Sequence, residues 1–277
     1  MKATSREYTL GKTLLNVRDV EHRYADQVVL RDVNFEIRDI VRPDCTTGQV
    51  VALLGPSGIG KSTLFRILAG LQEPTSGRVE VGVNARRVEA GMVGVVFQNY
   101  QLFEHRTVLG NLAVAARLSC RSGKEAMQRS RQMLKRFGLE QFASRYPVQI
   151  SGGQRQRVAI AQQFVCSQHF LLMDEPFSGL DPLALESVCE LITEVANLDE
   201  LNTIIVVTHN IEAALQVADT VLIMGRDRDA AGAPILGARI QETVDLISAG
   251  LAWRKGINSA PEFVEVERRI RERFRTL

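Results

Sequence analysis

The segment Gly55-Pro-Ser-Gly-Ile-Gly-Lys-Ser-Thr63 constrains this chain more than any other. It lies between an apolar run, VVALL, and a segment that reads as the start of a helix, STLFRILAG. A buried strand that passes through glycines directly into a helix leaves a loop of bare backbone N–H groups at the positive end of the helix dipole. Gly58 and Gly60 let the main chain wrap close to phosphate oxygens. Lys61 reaches toward β- and γ-phosphates, and the Ser62 hydroxyl suits Mg²⁺. Gly55, Pro56, Ser57, Gly58, Ile59, Gly60, Lys61, Ser62 and Thr63 are therefore the candidate phosphate cradle.

The surrounding pattern agrees with such a loop. VVALLG (50–55), HFLLMD (169–174), TIIVVTH (203–209) and TVLIMG (220–225) are continuous apolar runs, as expected of strands covered on both faces in a parallel sheet. PLALESVCELITEVANLDEL is a helix-length segment between two of them, which gives the βα alternation of a doubly wound α/β fold. TLLNVRDVEHRYADQVVLRDVNFEIRDI alternates at period two, and GRVEVGVNARRVEAGMVGVVF repeats the theme; both predict antiparallel strands beside the main sheet. RPDCTTGQ (42–49) and GRDRDAAGAP, after Met224, read as loops. Residues 99–150 read as a helical subdomain with a stop at Gly138. Its many bases suit either a solvated helix face or a phosphate-bearing surface. The main unit is set at 14–228 and a C-terminal appendage at 229–277. In the appendage Phe263, Val266, Ile270 and Phe274 share one face, and Pro261 opens the first turn, so a helix is expected at about 261–275.

Two further groups carry chemistry. Asp174 and Glu175 end the apolar run HFLLMD; the first is placed to hold Mg²⁺ and the second to polarise a water, with a helix cap as the plainer reading. Ile150-Ser-Gly-Gly-Gln154 opens a helix with Ser151 as cap and Gly152 and Gly153 leaving the backbone bare. One nucleotide needs a single phosphate cradle, so a second cradle implies a phosphate bound elsewhere, for which another copy of the chain is one candidate.

Composition narrows the alternatives. With 34 Lys+Arg against 32 Asp+Glu, the net charge of +2 gives no argument for a nucleic-acid partner. Cys45, Cys120, Cys166 and Cys189 form no CxxC pair, so zinc is not expected and the thiols read as reduced packing residues. No apolar run approaches the ~18 residues that cross a bilayer, and MKATSREYTLGK lacks a signal-peptide core. A chain kept in the cytosol is expected.

The order GPSGIGKST, VFQN, ISGGQRQRVAIA, LLMDEP, SGLD and VVTHN resembles the ATPase subunits of ATP-binding cassette (ABC) transporters, over roughly residues 14–225. The resemblance implies an α/β cassette with a parallel sheet core, an antiparallel β part and a helical subdomain. It implies hydrolysis of ATP with Mg²⁺, Glu175 as base, His209 as the switch histidine and Gln98 as the residue that senses metal and water. It assigns Tyr24 to stacking on adenine, Ser151, Gly152, Gly153 and Gln154 to the partner's ATP, and Asp181 to coupling across a homodimer. The plainer readings are strand packing for Tyr24, a surface glutamine for Gln98, a turn residue before Pro182 for Asp181 and a core histidine for His209. The metal set is Ser62, Gln98 and Asp174. A separate membrane permease is implied as partner, received near Asn99–Leu109, together with a solute-binding protein and a place on the cytoplasmic face of the membrane. The pattern looks most like importers of small polar solutes; the alternative is a non-transport cassette ATPase acting on a macromolecule. Gln162 stands where the family usually has Arg, and Asn210 where it often has Asp.

Overall fold

The computed structural model describes residues 8–41, 48–166, 170–197, 203–252 and 256–277. The first six residues of the loop expected at 42–49, with Cys45, lie outside the described residues, as does His169. Strands β1 (Thr9–Tyr24) and β2 (Gln27–Val41) form a long hairpin that turns at Ala25 and Asp26. Next come β3 (Gln49–Leu54), α1 (Lys61–Leu68), β4 (Ser76–Val81), β5 (Arg86–Arg87) and β6 (Gly94–Val96). The helices α2 (Val108–Ala116), α3 (Gly123–Arg136) and α4 (Gly152–Cys166) precede β7 (Phe170–Asp174) and α5 (Pro182–Ala196). The chain ends in β8 (Thr203–Thr208), α6 (Ile211–Val217), β9 (Thr220–Arg228), β10 (Pro234–Asp245) and α7 (Pro261–Phe274).

These strands make one sheet in the order β5-β4-β1-β2-β10-β9-β3-β8-β7-β6. β3 lies between β8 and β9, parallel to both, and β7 and β6 continue the parallel half. Every residue of β3 and β8 is buried, as their apolar runs VVALL and IIVV require, and the polar residues at their starts pair with each other, Gln49 donating to Thr203 Oγ1 at 3.3 Å. Alternate residues feed two cores. Val50, Ala52 and Leu54 face the layer that holds Ile192, Leu215 and Phe263; Val51 and Leu53 face Phe65 and Leu68 of α1.

Three expectations change. The antiparallel strands are hydrogen-bonded into the main sheet rather than packed beside it: β10 pairs antiparallel with β9 and meets β2 at Ala238 and Leu30. Gly237, with φ of 85°, allows that approach, since a Cβ there would lie 2.7 Å from Arg31 Cβ. GRDR is also strand, not loop. Asp227 accepts hydrogen bonds from Arg239 and Gln241 of β10 and pairs with Arg31 of β2, so the polar end of β9 stays in the ladder. β6, read with the antiparallel group, pairs parallel with β7.

Helix α3 ends where Gly138 turns with φ of 65°: its N–H donates to Lys135 O and the Leu139 N–H to Leu134 O, the Schellman arrangement. In α7, Phe263 and Ile270 are 2% and 1% exposed and join the core below α6, with Val266 and Phe274 packed alongside.

Candidate nucleotide site

β3 stops at Leu54 and α1 starts at Lys61, so the glycine-rich segment bridges sheet and helix directly. Gly58 and Gly60 take φ of 76° and 115°, a region that side chains with a Cβ rarely enter. Gly55 abuts β9: a Cβ there would meet Met224 O at 2.8 Å. No side chain caps the first turn of α1, which leaves its N–H groups to an anion. Ser57, Gly58 and Ser62 are exposed at the mouth of the loop, while Ile59 and Thr63 are buried beneath it.

Lys61 is only 6% exposed. Its ammonium donates to Gly55 O at 2.8 Å and Pro56 O at 3.1 Å, and lies 3.7 Å from Glu175 Oε1. Burial pulls its pKa below the usual lysine value, against the opposing charges of Glu175 and Asp174. A buried ammonium with mainly neutral partners is poised to take an anion.

Asp174 is the last residue of β7. Burial, then the charge of Glu175, raises its pKa, opposed by Lys61 and Arg66. Glu175 takes φ of 46° and its N–H donates to Val207 O at 2.8 Å, so it belongs to the strand end and caps no helix. Its Oε1 lies 2.9 Å from His209 Nδ1, and its Oε2 accepts from Thr208 Oγ1 at 3.0 Å. His209 is half exposed rather than a core histidine. Asn210, where the family often has Asp, accepts the Ala213 N–H at 3.0 Å and caps α6.

Lys61, Asp174, Glu175 and His209 thus converge at the ends of β3, β7 and β8. Other expected residues lie around them. Gln98 is exposed in the turn after β6; nearby, Tyr100 donates to Pro176 O at 3.1 Å, which ties that segment to the turn after Glu175. Tyr24 ends β1 and is 45% exposed, its ring edge-on to His22 at 4.7 Å and its hydroxyl bonded to Gln72. Ser151 and Gln154 make a reciprocal cap: Ser151 N–H donates to Gln154 Oε1, and Gln154 N–H to Ser151 Oγ. A Cβ on Gly152 or Gly153 would meet nothing within 4 Å. Among the described residues no hydrogen bond or ion pair links this turn to Lys61 or Glu175. Asp181 accepts from Leu183 and Ala184 N–H at 3.0 and 2.9 Å, the cap of α5. Thr208 and Gln72 were not singled out from sequence; a hydroxyl beside His209 at a strand end was the one signal for the first.

A family model described as ABC transporter matches residues 39–178, half of the chain. This chain belongs to the ABC family. A second model, of an AAA domain, matches residues 145–215. The chain is 37% identical over 216 residues to the sulfate/thiosulfate import ATP-binding protein CysA of Synechocystis sp., covering 76% of this chain and 58% of the relative. It is also 37% identical over 222 residues to the "Probable amino-acid import ATP-binding protein YxeO" of Bacillus subtilis, covering 76% and 85%. The chain therefore spans about three fifths of the length of that CysA protein. Among solved ABC structures, cbiO1 from Clostridium perfringens, part of the transporter complex cbiONQ, superposes with a TM-score of 0.71 at 25% identity, covering 94% of this chain and 99% of that one. A dimeric cassette in a post-hydrolysis state with ADP and Pi gives 0.63 at 26% identity, covering 84% and 99%. No helix among the described residues is long and apolar enough to cross a membrane.

Proposed function

We propose that this chain binds and hydrolyses ATP as the nucleotide-binding subunit of a transporter, and that two copies drive import of a small polar solute through a separate permease. One observation carries the reading: the buried Lys61 ammonium and the Glu175 carboxylate, the latter held by His209 and Thr208, meet at the mouth of a glycine loop whose helix has no side-chain cap. The loop N–H groups and Lys61 take the phosphates. Glu175 accepts the proton of the attacking water at its carboxylate. His209 orients Glu175 and reaches toward the γ-phosphate. Tyr24, exposed and held at its hydroxyl end, offers a face to adenine.

Mg²⁺ fits the donors present. Asp174 and Glu175 stand side by side with Asp174 pushed up by burial and by its neighbour, a repulsion that a divalent cation relieves, and Ser62 at the start of α1 is exposed. Ser62 and Asp174 would hold it, with Gln98 contributing. When bound it neutralises charge on the phosphates.

The turn Ser151–Gln154 presents exposed, bare backbone, which suits a phosphate on a second copy, and Asp181 would couple the two sites. We assign 14–228 to the cassette, 99–150 to its helical part and 229–277 to the tail. The segment Asn99–Leu109, with Phe103 45% exposed, is the candidate permease contact. That assembly places the chain at the cytoplasmic face of a membrane, beside a solute-binding protein. The relatives differ in solute, sulfate in one and amino acids in another, so the solute is set outside the cassette. Co-expression with a candidate permease, reconstitution in vesicles and assay of solute uptake against ATP consumption tests this; purified chain that neither binds ATP nor copurifies with a multi-span protein refutes it.

A further inference from the structure

Thr208 ends β8 and has no solvent exposure. Its Oγ1 joins two partners: the Asn210 N–H at 3.1 Å and Glu175 Oε2 at 3.0 Å. A hydroxyl carries one proton, and an amide N–H can only donate. The Asn210 amide therefore occupies an oxygen lone pair, and the Thr208 proton is directed at the carboxylate. The main chain fixes that direction, because Asn210 is itself held as the cap of α6. Glu175 is thus pinned at both ends: its N–H by Val207 O, and its Oε2 by the Thr208 hydroxyl at 3.0 Å, with the His209 N–H a longer second donor to the same oxygen at 3.4 Å. The other oxygen, Oε1, is the one that faces His209 Nδ1 and Lys61.

We propose that Thr208 is a positioning residue, whose hydroxyl holds Glu175 Oε2 so that Oε1 is presented on the phosphate side, toward the attacking water. The inference rests on Glu175 acting as the base. Among the described residues the Thr208 hydroxyl bonds only to Glu175 and the Asn210 N–H and to nothing in 55–63, so its loss should act on turnover rather than on nucleotide affinity. A hydrogen bond to a charged group contributes enough that Thr208→Val should lower kcat about 10- to 100-fold. KM for ATP, and the equilibrium Kd of a fluorescent ATP analogue, should stay within about twofold. Thr208→Ser keeps the hydroxyl and should restore kcat to within about threefold of the parent, on the same reasoning.

The test measures kcat, KM and Kd for Thr208→Val, Thr208→Ser and Glu175→Gln in parallel, with thermal melting to confirm folding. If the valine variant fails to fold, Thr208→Cys, a weak donor of similar size, takes its place. A valine variant at full kcat, a serine variant as slow as valine, or a loss carried by KM and Kd would each overturn the proposal. The two readings separate: Glu175→Gln with near-normal turnover removes the base assignment itself, whereas an inactive Glu175→Gln beside an unaffected Thr208→Val removes only the role of Thr208.

Discussion

Glu175 and Lys61 sit 3.7 Å apart but do different work, and single substitutions should separate them. Glu175→Gln keeps the shape and hydrogen-bonding oxygen of the side chain while removing its proton affinity. ATP binding should persist and turnover should fall about 10²- to 10⁴-fold, the usual contribution of a general base. Stoppage of turnover with trapping of an ATP-bound dimer, read by size exclusion, is the expected result; loss of binding would count against the base. Lys61→Ala removes the buried ammonium that faces the loop carbonyls, and titration with an ATP analogue should show weakened binding. Lys61, Asp174 and Glu175 were legible because each stands at a fixed step from an apolar strand end. Thr208 was not, because a hydroxyl inside TIIVVTH reads as strand packing and its partner lies 33 residues earlier. Asp181 shows the reverse: the plain reading, a residue preceding Pro182, is what the hydrogen bonds display, and any coupling role adds to its work as a cap.

Strand β9 is the element whose sequence misleads. Its second half, GRDR, is polar, and polarity beside small residues signals a loop. The ladder persists because Asp227 finds Arg239 and Gln241 across the hairpin and Arg31 on β2, 196 residues away in sequence. Such a partner is invisible to local pattern. The hydrogen bond from Arg239, then that from Gln241, holds the Asp227 carboxyl down at about 2. A carboxylate lowered on folding adds stability that is fully present above its unfolded value of ~3.9 and is lost as pH falls toward its folded value. Asp227→Asn should therefore be less stable than the parent at neutral pH by about 1 kcal/mol, the scale of a partly screened ion pair. The difference should shrink between about pH 4 and pH 2. Urea melts at pH 7, 4 and 2.5 measure it; a gap that is constant with pH would mean the carboxylate charge is not what holds β9, β10 and β2 together. Helix α3, by contrast, was legible at its end, where Gly138 turns the chain; its start, where Ser122 accepts the Glu125 N–H, was not read from the sequence.

At the scale of the whole molecule the chain has two phosphate-ready turns, at Gly55–Thr63 and at Ser151–Gln154, with no hydrogen bond or ion pair between them among the described residues. If each site takes one turn from each copy, mixing a Lys61→Ala chain with a chain altered at Ser151 should restore about one working site per heterodimer; mixtures as inactive as the parents would refute the shared site. The tail makes the last test. It returns to the body along one continuous line of contact. Phe263 and Ile270 enter the core, Arg273 donates to Gln241 of β10, Arg228 donates to Thr276 O, and Leu277 lies over Gly225, where a Cβ would have no room. Gly225 follows Met224, the residue against which Gly55 of the phosphate loop is packed. Truncating a buried Phe or Ile each costs ~2–5 kcal/mol, against a total stability of ~5–15 kcal/mol for a domain. Ending the chain after Ser259 should thus lower Tm by about 10 °C or more, and Phe263→Ala alone by roughly half that or more. The contacts described are with the chain's own body, chiefly its sheet and α6, so stimulation of ATPase by a permease, measured per folded molecule below the melting range, should be unchanged. A truncated chain that melts as the parent does, while its stimulation shifts, would instead make α7 a contact for the partner chain or the permease.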